Sequence, residues 1–205
     1  MQGHGLRTIG PLTGPRAAPE GNPLRPLPWR CHAHRMNRRS TPRSTVALPL
    51  TARDLRRDEL AGCEWAGGPL HVAAVARALE RAETGEVDYL AVCTSAGIPV
   101  AIGGVDFRLF ADAGYLWQLA VHPILRRCGV GTALVGALEE RIRGRGRSRA
   151  ELRCEERETG NRVFYERLGY LPYGTVLDGW DRRLPSGEVE RYETVCVTMR
   201  RDLSR

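Results

Sequence analysis

The apolar positions of this 205-residue chain are unevenly distributed and divide it near residue 45. Residues 1–44 contain seven prolines with many arginines and glycines, and they show no apolar periodicity. Such a segment cannot bury enough apolar surface to offset the entropy lost on ordering. We therefore predict a disordered extension over residues 1–44 and one folded domain over residues 45–205. Translation that begins at Met36 is an alternative explanation of the same pattern.

Within the folded part, the spacing of apolar residues changes repeatedly between the two-residue period of strands and the longer period of helices. A capping-box-like start at Thr51 predicts a helix to about Glu64, and a second apolar face predicts a helix over 72–83. Runs of strand character lie at residues 46–50, 89–94, 98–108, 115–121, 148–154 and 192–199. The last run closes a predicted hairpin over 178–199, with Gly187 in its turn.

All 31 basic residues are arginines, and the chain contains no lysine. P-loop phosphate binding, protein kinase activity, Schiff-base chemistry and Ser-x-x-Lys acylation all need a lysine amine, so these classes are excluded. Residues 1–45 hold eight arginines and one acidic residue, whereas the other 160 residues hold 23 arginines and 23 acidic residues. The folded domain is therefore neutral overall, and a basic N-terminal segment alone does not indicate a nucleic-acid partner.

The sequence contains no recognisable targeting or metal-binding signal. No stretch approaches the roughly 18 to 20 apolar residues of a membrane span, and the N-terminal segment has no apolar signal-peptide core. The six cysteines are scattered without a Cys-x-x-Cys pair, so we expect a cytoplasmic protein with reduced thiols and no membrane anchor. Cys31, His32 and His34 lack a second ligand pair at zinc spacing, and no metal site is predicted.

A glycine-rich turn follows the predicted strand 115–121. The chain leaves that strand through a His-Pro step, and a helix then starts within the run Arg126-Arg127-Cys128-Gly129-Val130-Gly131-Thr132. Because glycine lacks a Cβ atom, a ligand can approach the backbone of Gly129 and Gly131 closely. The first N–H groups of a helix also favour an anion. The turn therefore predicts a pyrophosphate cradle, with an ordinary turn as the alternative.

Two phosphate-binding interpretations of this turn compete. A dinucleotide fold requires G-x-G-x-x-G directly after the strand. Here Leu134 occupies the place of the third glycine, and the segment from His122 to Cys128 separates the strand from Gly129. These departures argue against a dinucleotide site. The competing interpretation is a coenzyme A site.

Two segments carry a family resemblance. Leu119-Ala120-Val121-His122-Pro123, followed by Arg126-x-x-Gly129-x-Gly131, resembles motif A of the GNAT superfamily of acyl-CoA-dependent N-acyltransferases. The segment Thr159-Gly160-Asn161-Arg162-Val163-Phe164-Tyr165-Glu166-Arg167-Leu168-Gly169-Tyr170 resembles its motif B. The resemblance implies an α/β (α+β) fold: a mixed, mostly antiparallel sheet of six to seven strands, with about four helices and splayed central strands.

The resemblance also implies a binding site for acetyl-CoA between the strands at 115–121 and 148–154. In the family, strand backbone equivalent to Leu119 and Val121 binds the pantetheine arm and polarises the acetyl carbonyl, and backbone N–H groups of the turn bind the pyrophosphate. The cofactor-binding residues carried over on this basis are Leu119, Ala120, Val121, Arg126, Arg127, Cys128, Gly129, Val130, Gly131, Thr132 and Asn161.

Tyr165 is the predicted catalytic residue, because the family's tyrosine in this pattern lies near the cofactor sulfur. A phenol with an ordinary pKa near 10 can donate a proton to a departing thiolate, whose conjugate acid has a pKa near 8.5. Simple helix packing of Phe164 and Tyr165 is the alternative. Relatives often carry an asparagine where this chain has Glu158. Asn161, one helical turn further on, either replaces that cofactor contact or is a capping or surface residue.

The general base is left unassigned by the sequence. Tyr115 occupies the place of the glutamate found in many relatives, and the ionisable candidates nearby are Asp106, His122 and Glu151. A water relay, or an amine that arrives neutral, would need no carboxylate.

Several further side chains have an ordinary structural explanation. Alternating arginines at 141–149 suit a solvated helix end, with contact to the cofactor 3′-phosphate as the alternative. Cys128 and Cys154 are expected to be small packing residues, and Trp117 and Trp180 to be core or lid aromatics.

We therefore expect an N-acetyltransferase that transfers the acetyl group of acetyl-CoA to a primary amine by direct attack in a ternary complex. The acceptor stays open among small amines, amino acids, aminoglycoside-like compounds, protein N-termini and protein lysines, and so does the oligomeric state. A catalytically silent acyl-CoA-binding module with a regulatory role is the alternative. Glu158 and Tyr115 favour that alternative, and Tyr165 argues against it.

Overall fold

The computed structural model describes residues 47–204, which form one seven-stranded sheet with helices on both faces. The strands are β1 (Leu50–Asp54), β2 (Val87–Thr94), β3 (Pro99–Asp106), β4 (Ala113–Val121), β5 (Arg149–Glu155), β6 (Leu171–Arg183) and β7 (Val189–Asp202). The helices are a 3₁₀ helix (Arg57–Ala66), α1 (Gly68–Glu83), α2 (Val130–Gly144) and α3 (Thr159–Arg167), with a short 3₁₀ turn at Pro123–Leu125. The predicted extension over 1–44, with Met36 and the cysteine and histidines at 31–34, lies outside the described residues.

The strands lie in the order β1-β2-β3-β4-β5-β7-β6. Every neighbouring pair is antiparallel apart from β4 and β5, which are parallel and are connected through α2. A parallel pair needs such a crossover because the chain must return to the same end of the sheet. The predicted mixed, mostly antiparallel sheet with about four helices is confirmed.

The central strands β4 and β5 separate partway along their length. They pair only from Ala113–Arg149 to Leu116–Leu152, after which both strands continue without each other. Just beyond this point β4 carries an irregularity opposite β3, and Gln118 there has a φ of 54°. The predicted splay of the central strands is therefore present, and it leaves the β5-facing edge of β4 without a strand partner after Leu116.

Apolar clusters cover the two faces of the sheet. On the first, called the α2 face below, Val130, Leu134, Leu138 and Ile142 of α2 are buried, as their helical spacing predicts. On the second, called the α1 face, α1 and the 3₁₀ helix pack around Tyr89 of β2. Side chains of alternate residues in each strand point to opposite faces, so position along a strand decides which cluster a side chain joins.

The prediction for residues 46–64 is wrong in its boundaries. The segment after Thr51 continues as β1, because its backbone pairs with β2 from Leu50–Thr94 to Asp54–Leu90. The capping interaction forms later, where the Glu59 carboxylate accepts a hydrogen bond of 3.0 Å from the Arg56 backbone N–H. Strand pairing with a distant segment has overridden a local helix signal here.

Other boundaries differ by less. Helix α1 begins at Gly68 and includes Pro69 in its first turn, a position where proline costs no helical hydrogen bond. The closing hairpin begins at Leu171, earlier than the predicted 178, and Gly187 has the expected left-handed φ of 90° between its strands. No helix within residues 47–204 combines the length and apolar character needed to cross a membrane.

Candidate active site

A cleft of about 1100 Å³ opens where β4 and β5 separate. It is lined by the end of β4, by the loop and first turn of α2, and by α3. The predicted residues that line it are Leu119, Ala120, Val121, Arg126, Arg127, Gly129, Gly131, Thr132, Asn161 and Tyr165. Of the remaining two, Cys128 has an exposed side chain in the same loop, and Val130 has its side chain buried in the core below.

The loop before α2 has the geometry of an anion cradle. Gly129 has a left-handed φ of 82°, and a Cβ atom placed on it would meet no described atom within 4 Å. Arg127 also has a positive φ, of 63°. No described side chain caps the start of α2, so its first N–H groups are available to an anion. The guanidinium of Arg126 donates from Nε to the Val121 carbonyl at 3.3 Å, which holds the loop against the end of β4.

Gly131 lines the cleft and also lies close to side chains of α3 and β4. A Cβ atom on Gly131 would lie 3.4 Å from Cζ of Phe164 and 3.5 Å from Cγ2 of Val121. These distances are ordinary van der Waals contacts, so a Cβ atom on Gly131 would touch α3 and β4 without displacing them.

Tyr165 lies on α3 among aromatic rings and also lines the cleft. Its ring centroid is 5.0 Å from that of Phe164 and 5.8 Å from that of Tyr170, both in edge-to-face contact. Burial raises the pKa of Tyr165 well above its ordinary value, so its hydroxyl stays protonated at neutral pH. The ring is thus packed, as the alternative supposed, and Tyr165 is at the same time one of the residues that line the cleft.

Asn161 and Glu158 both line the cleft at the start of α3. The Asn161 backbone N–H donates to the Glu158 carbonyl at 3.0 Å, and no side chain caps this helix among the described residues. Asn161 is therefore an exposed residue of the first turn whose side chain is available to a ligand.

The three candidate bases each have different neighbours. Asp106 ends β3 at the paired end of β4, forms an ion pair with Arg81, and accepts from the Arg108 backbone N–H at 2.9 Å. Glu151 is buried next to Tyr115 and accepts from Arg149 Nε at 2.7 Å. His122, at the end of β4, lies against Trp65 with ring centroids 5.2 Å apart.

The arginines at 141–149 are tied to other parts of the fold and do not line the cleft. Their partners are Asp54 for Arg141, Glu139 and the Leu203 carbonyl for Arg143, Asp88 for Arg145, the Phe110 and Ala113 carbonyls for Arg147, and Asp112 and Glu151 for Arg149. Their side chains are nevertheless partly or fully exposed around the end of α2, as the interpretation of a solvated helix end expects. Contact with the cofactor 3′-phosphate stays a prediction. Arg167, at the end of α3, lines the cleft instead, and helical periodicity did not single it out.

The expectations for the tryptophans and cysteines are met in part. Trp117 packs on the α1 face, 5.6 Å from the Tyr89 ring centroid, and Cys154 is buried. Trp180 is 42% exposed on the β6–β7 hairpin, and the Cys128 thiol is exposed, so neither is a packing residue of the core. Within residues 47–204, no group of three or more His, Cys, Asp or Glu side chains could hold a metal ion.

Comparison with known proteins agrees with this fold. The family model of the acetyltransferase (GNAT) family matches residues 54–170. The solved ribosomal-protein-S18-alanine N-acetyltransferase from Escherichia coli is similar over 77% of this chain and 96% of its own, with a TM-score of 0.59 and 17% identity. A phosphinothricin acetyltransferase from Sinorhizobium meliloti, solved in complex with AcCoA, is similar over 75% and 88%, with a TM-score of 0.58 and 16% identity.

A curated relative, acetyl transferase GW6a from Oryza sativa subsp. japonica, is 34% identical over 106 residues. These residues make up 51% of this chain and 25% of the rice protein, so the chain spans only a quarter of that relative. The family match covers more than half of the chain. The chain therefore belongs to the GNAT family of acetyltransferases.

Proposed function

We propose that this protein transfers the acetyl group of acetyl-CoA to a primary amine. One arrangement supports the proposal: the unpaired end of β4, the uncapped start of α2 and Tyr165 of α3 all line a single cleft. The Sinorhizobium meliloti relative of the same fold was solved with AcCoA, which supports the choice of acyl donor.

The residues of the cleft fit the chemical groups of acetyl-CoA. The first N–H groups of α2 suit the pyrophosphate, and the open space beside Gly129 leaves them accessible. Arg126, Arg127 and Arg167 line the same cleft and add positive charge for phosphate groups. The unpaired edge of β4 at Leu119 offers backbone groups for the amides of the pantetheine arm.

When bound, acetyl-CoA supplies a thioester whose carbonyl carbon an amine can attack directly. Backbone N–H groups on the unpaired edge of β4 would stabilise the negative charge that develops on the carbonyl oxygen. Tyr165 would donate its hydroxyl proton to the departing sulfur, because it lines the cleft and is protonated at neutral pH. Burial raises its pKa and makes it a weaker acid than an exposed tyrosine, so the transfer requires the sulfur to lie within hydrogen-bond reach. Acid catalysis of this kind typically contributes about 10²- to 10⁴-fold. The presence of Tyr165 in the cleft favours catalysis over a silent acyl-CoA-binding module.

The test combines binding with turnover. Acetyl-CoA binding is measured by calorimetry, and thiol release is then measured with a diamine, an amino acid, an aminoglycoside, and peptides that offer either a free N-terminus or a lysine. We expect saturable binding and amine-dependent release with at least one acceptor. Binding without amine-dependent release across the panel would favour the silent module.

A matched pair of variants tests the cradle. Gly129→Ala and Gly136→Ala each add one methyl group into open space, but only Gly129 has a left-handed φ and lies at the start of α2. We expect Gly129→Ala to weaken acetyl-CoA binding, because an L-residue is disfavoured in this conformation by about 1–2 kcal/mol. Gly136→Ala should bind as the parent protein does. Equal affinity in both variants would contradict the assigned cradle.

A further inference from the structure

The opening between β4 and β5 has two sides, and successive residues of β5 face different sides. Cys154 faces the α2 face, where it is buried in the cluster against which Tyr165 also packs. Its neighbour Glu155 therefore faces the α1 face. Cys154 is thus on the side of the sheet where Tyr165, the predicted acid, packs. Glu155 is on the opposite side and carries a carboxylate there.

Contacts on neighbouring strands agree with this placement of Glu155. Arg153, two residues earlier, lies with its guanidinium 5.5 Å from the ring centroid of Tyr115 on β4. Trp117, two residues after Tyr115, belongs to the α1-face cluster. The Tyr192 hydroxyl of β7 donates a hydrogen bond of 3.0 Å to Oε2 of Glu155.

Glu155 also lies at the height of the opening. The last parallel pair is Leu116 with Leu152, and Glu155 follows Leu152 by three residues, or about 10 Å of strand. The same number of residues along β4 leads from Leu116 to Leu119, which lines the cleft. Glu155 and Leu119 are therefore each three residues beyond the last parallel pair, and Glu155 is on the α1 face, outside the set of residues that line the cleft.

The region around Glu155 on the α1 face, called this patch below, contains two other carboxylates, and each is bonded to an arginine. Glu151 accepts from Arg149 at 2.7 Å, and Asp178 accepts from Arg153 at 3.1 Å. Glu155 accepts a hydrogen bond from the neutral hydroxyl of Tyr192. Among residues 47–204, no arginine forms an ion pair with Glu155. Glu155 is therefore the carboxylate of this patch that no described arginine occupies.

We propose that Glu155 is the general base of the transfer and that Tyr192 positions it. This proposal rests on the proposed function. The amine nitrogen attacks the thioester carbon through its lone pair, a C–N bond forms, and the carbonyl π electrons move to oxygen. The Glu155 carboxylate takes one proton from that nitrogen. The C=O bond re-forms, the C–S bond breaks, and the sulfur takes the hydroxyl proton of Tyr165. Glu155 then releases its proton to solvent, and the Tyr165 phenolate regains one.

The proposal requires the amine to enter from the α1 face, opposite the side where Tyr165 lies. The titratable and charged groups around Glu155 and Tyr192 include Tyr115 of β4, Arg153 of β5, Asp178 and Arg182 of β6, and Tyr192 and Cys196 of β7. Burial raises the pKa of the Cys196 thiol, so its titration moves away from acidic pH. Asp178 is the second carboxylate among these groups, and Asp178→Asn is therefore a necessary control for any acidic limb of a pH–rate profile.

The experiment compares Glu155→Gln with Glu156→Gln in the full chain, using the fastest acceptor of the amine panel. Glu156 is the next residue, is exposed, and follows the end of β5. We expect Glu155→Gln to lower kcat by about 10²- to 10³-fold, within the range of positioned proton transfer, and to leave acetyl-CoA affinity unchanged. Glu156→Gln should retain the parent rate. Tyr192→Phe should lower kcat less and should shift the acidic limb of kcat/KM, while Asp178→Asn should leave that limb in place.

Two results would overturn the proposal. The first removes only the base assignment, and the second removes the proposed function as well. If the parent protein is active and folded Glu155→Gln stays within twofold of it across the pH range, Glu155 is not the base, and the proposed function stands. If the parent protein binds acetyl-CoA but none of the amines in the panel causes thiol release, the proposed function and the base assignment fail together. Circular dichroism and melting temperature establish that each variant is folded.

Discussion

The Tyr170 hydroxyl donates a hydrogen bond of 3.0 Å to the buried carboxylate of Glu139. The same carboxylate accepts from Arg201 at 2.9 Å, so one side chain of α2 connects the end of α3 with β7. Burial, together with the charge of Glu139, raises the pKa of Tyr170 and keeps this donor protonated. The ring of Tyr170 also supports the ring of Tyr165, and the contact therefore links the stability of the core to the candidate catalytic residue.

We expect Tyr170→Phe to lower the free energy of unfolding by about 1.5–3 kcal/mol, the usual contribution of a hydrogen bond to a charged group. Glu139→Ala should cost more, about 3–5 kcal/mol, because it leaves Arg201 without its buried partner. Urea denaturation of both variants measures these losses. If Tyr170→Phe unfolds at the same urea concentration as the parent protein, the hydrogen bond does not stabilise the fold.

The Glu59 carboxylate makes the free energy of unfolding depend on pH in the acidic range. A hydrogen bond from Arg53 is the main cause that lowers the pKa of Glu59 from 4.5 to about 2, and burial partly opposes it. The unfolded chain takes up this proton near pH 4.5 and the folded protein only near pH 2. The stabilisation, roughly 3 kcal/mol, is therefore complete above pH 4.5 and is lost as the pH falls toward 2.

Glu59→Gln should accordingly be less stable than the parent protein at pH 7 and should approach it at pH 2. Denaturant titrations at several pH values measure the difference. Glu80→Gln is a suitable control, because Glu80 is an exposed partner of an exposed arginine. A stability difference between Glu59→Gln and the parent protein that does not change between pH 5 and pH 2 would contradict the assignment.

Tyr165→Phe retains the ring and its packing and removes only the hydroxyl. If that hydroxyl protonates the departing thiolate, kcat should fall by roughly 10- to 1000-fold, while acetyl-CoA affinity should change little. The loss should be smaller with an acyl donor whose thiolate leaves more easily, because less protonation is then needed. Steady-state kinetics with both donors measure this effect. A kcat within about twofold of the parent value would show that Tyr165 only packs.

Cys128 offers a chemical test of the cleft that needs no acceptor. Its thiol is exposed in the loop before α2, whereas Cys63, Cys93, Cys154 and Cys196 are buried. Acetyl-CoA bound across this loop should slow alkylation of Cys128 by iodoacetamide, since it would cover the neighbouring backbone of Gly129. Peptide mapping by mass spectrometry follows the modification of Cys128 with and without acetyl-CoA. An unchanged rate at saturating acetyl-CoA would place the binding site elsewhere.

Short-range patterns predicted much of the fold and part of the site. The apolar spacing of α2 is buried as expected, and the turn at Gly129 has the left-handed backbone that only glycine adopts easily. Tyr165 and Asn161 lie on one short helix beside that turn and line the same cleft. The buried face of α2 and the glycine turn depend on residues close together in the chain, so periodicity and turn chemistry could predict them. The expected roles of Tyr165 and Asn161 came from the family resemblance.

The tertiary structure decided which distant residues meet. The segment after Thr51 forms a strand because its backbone pairs with the edge of β2. The arginines after α2 form ion pairs with residues far away in the sequence, such as Asp88 and Asp112. Glu155 is the clearest case, because the sequence does not show where β4 and β5 separate, and Tyr192 reaches it only through the pairing of β5 with β7. The local spacing of apolar residues specifies whether a segment forms a helix or a strand and which of its faces is buried. Hydrogen bonding and packing between elements far apart in sequence decide which side chains share a site.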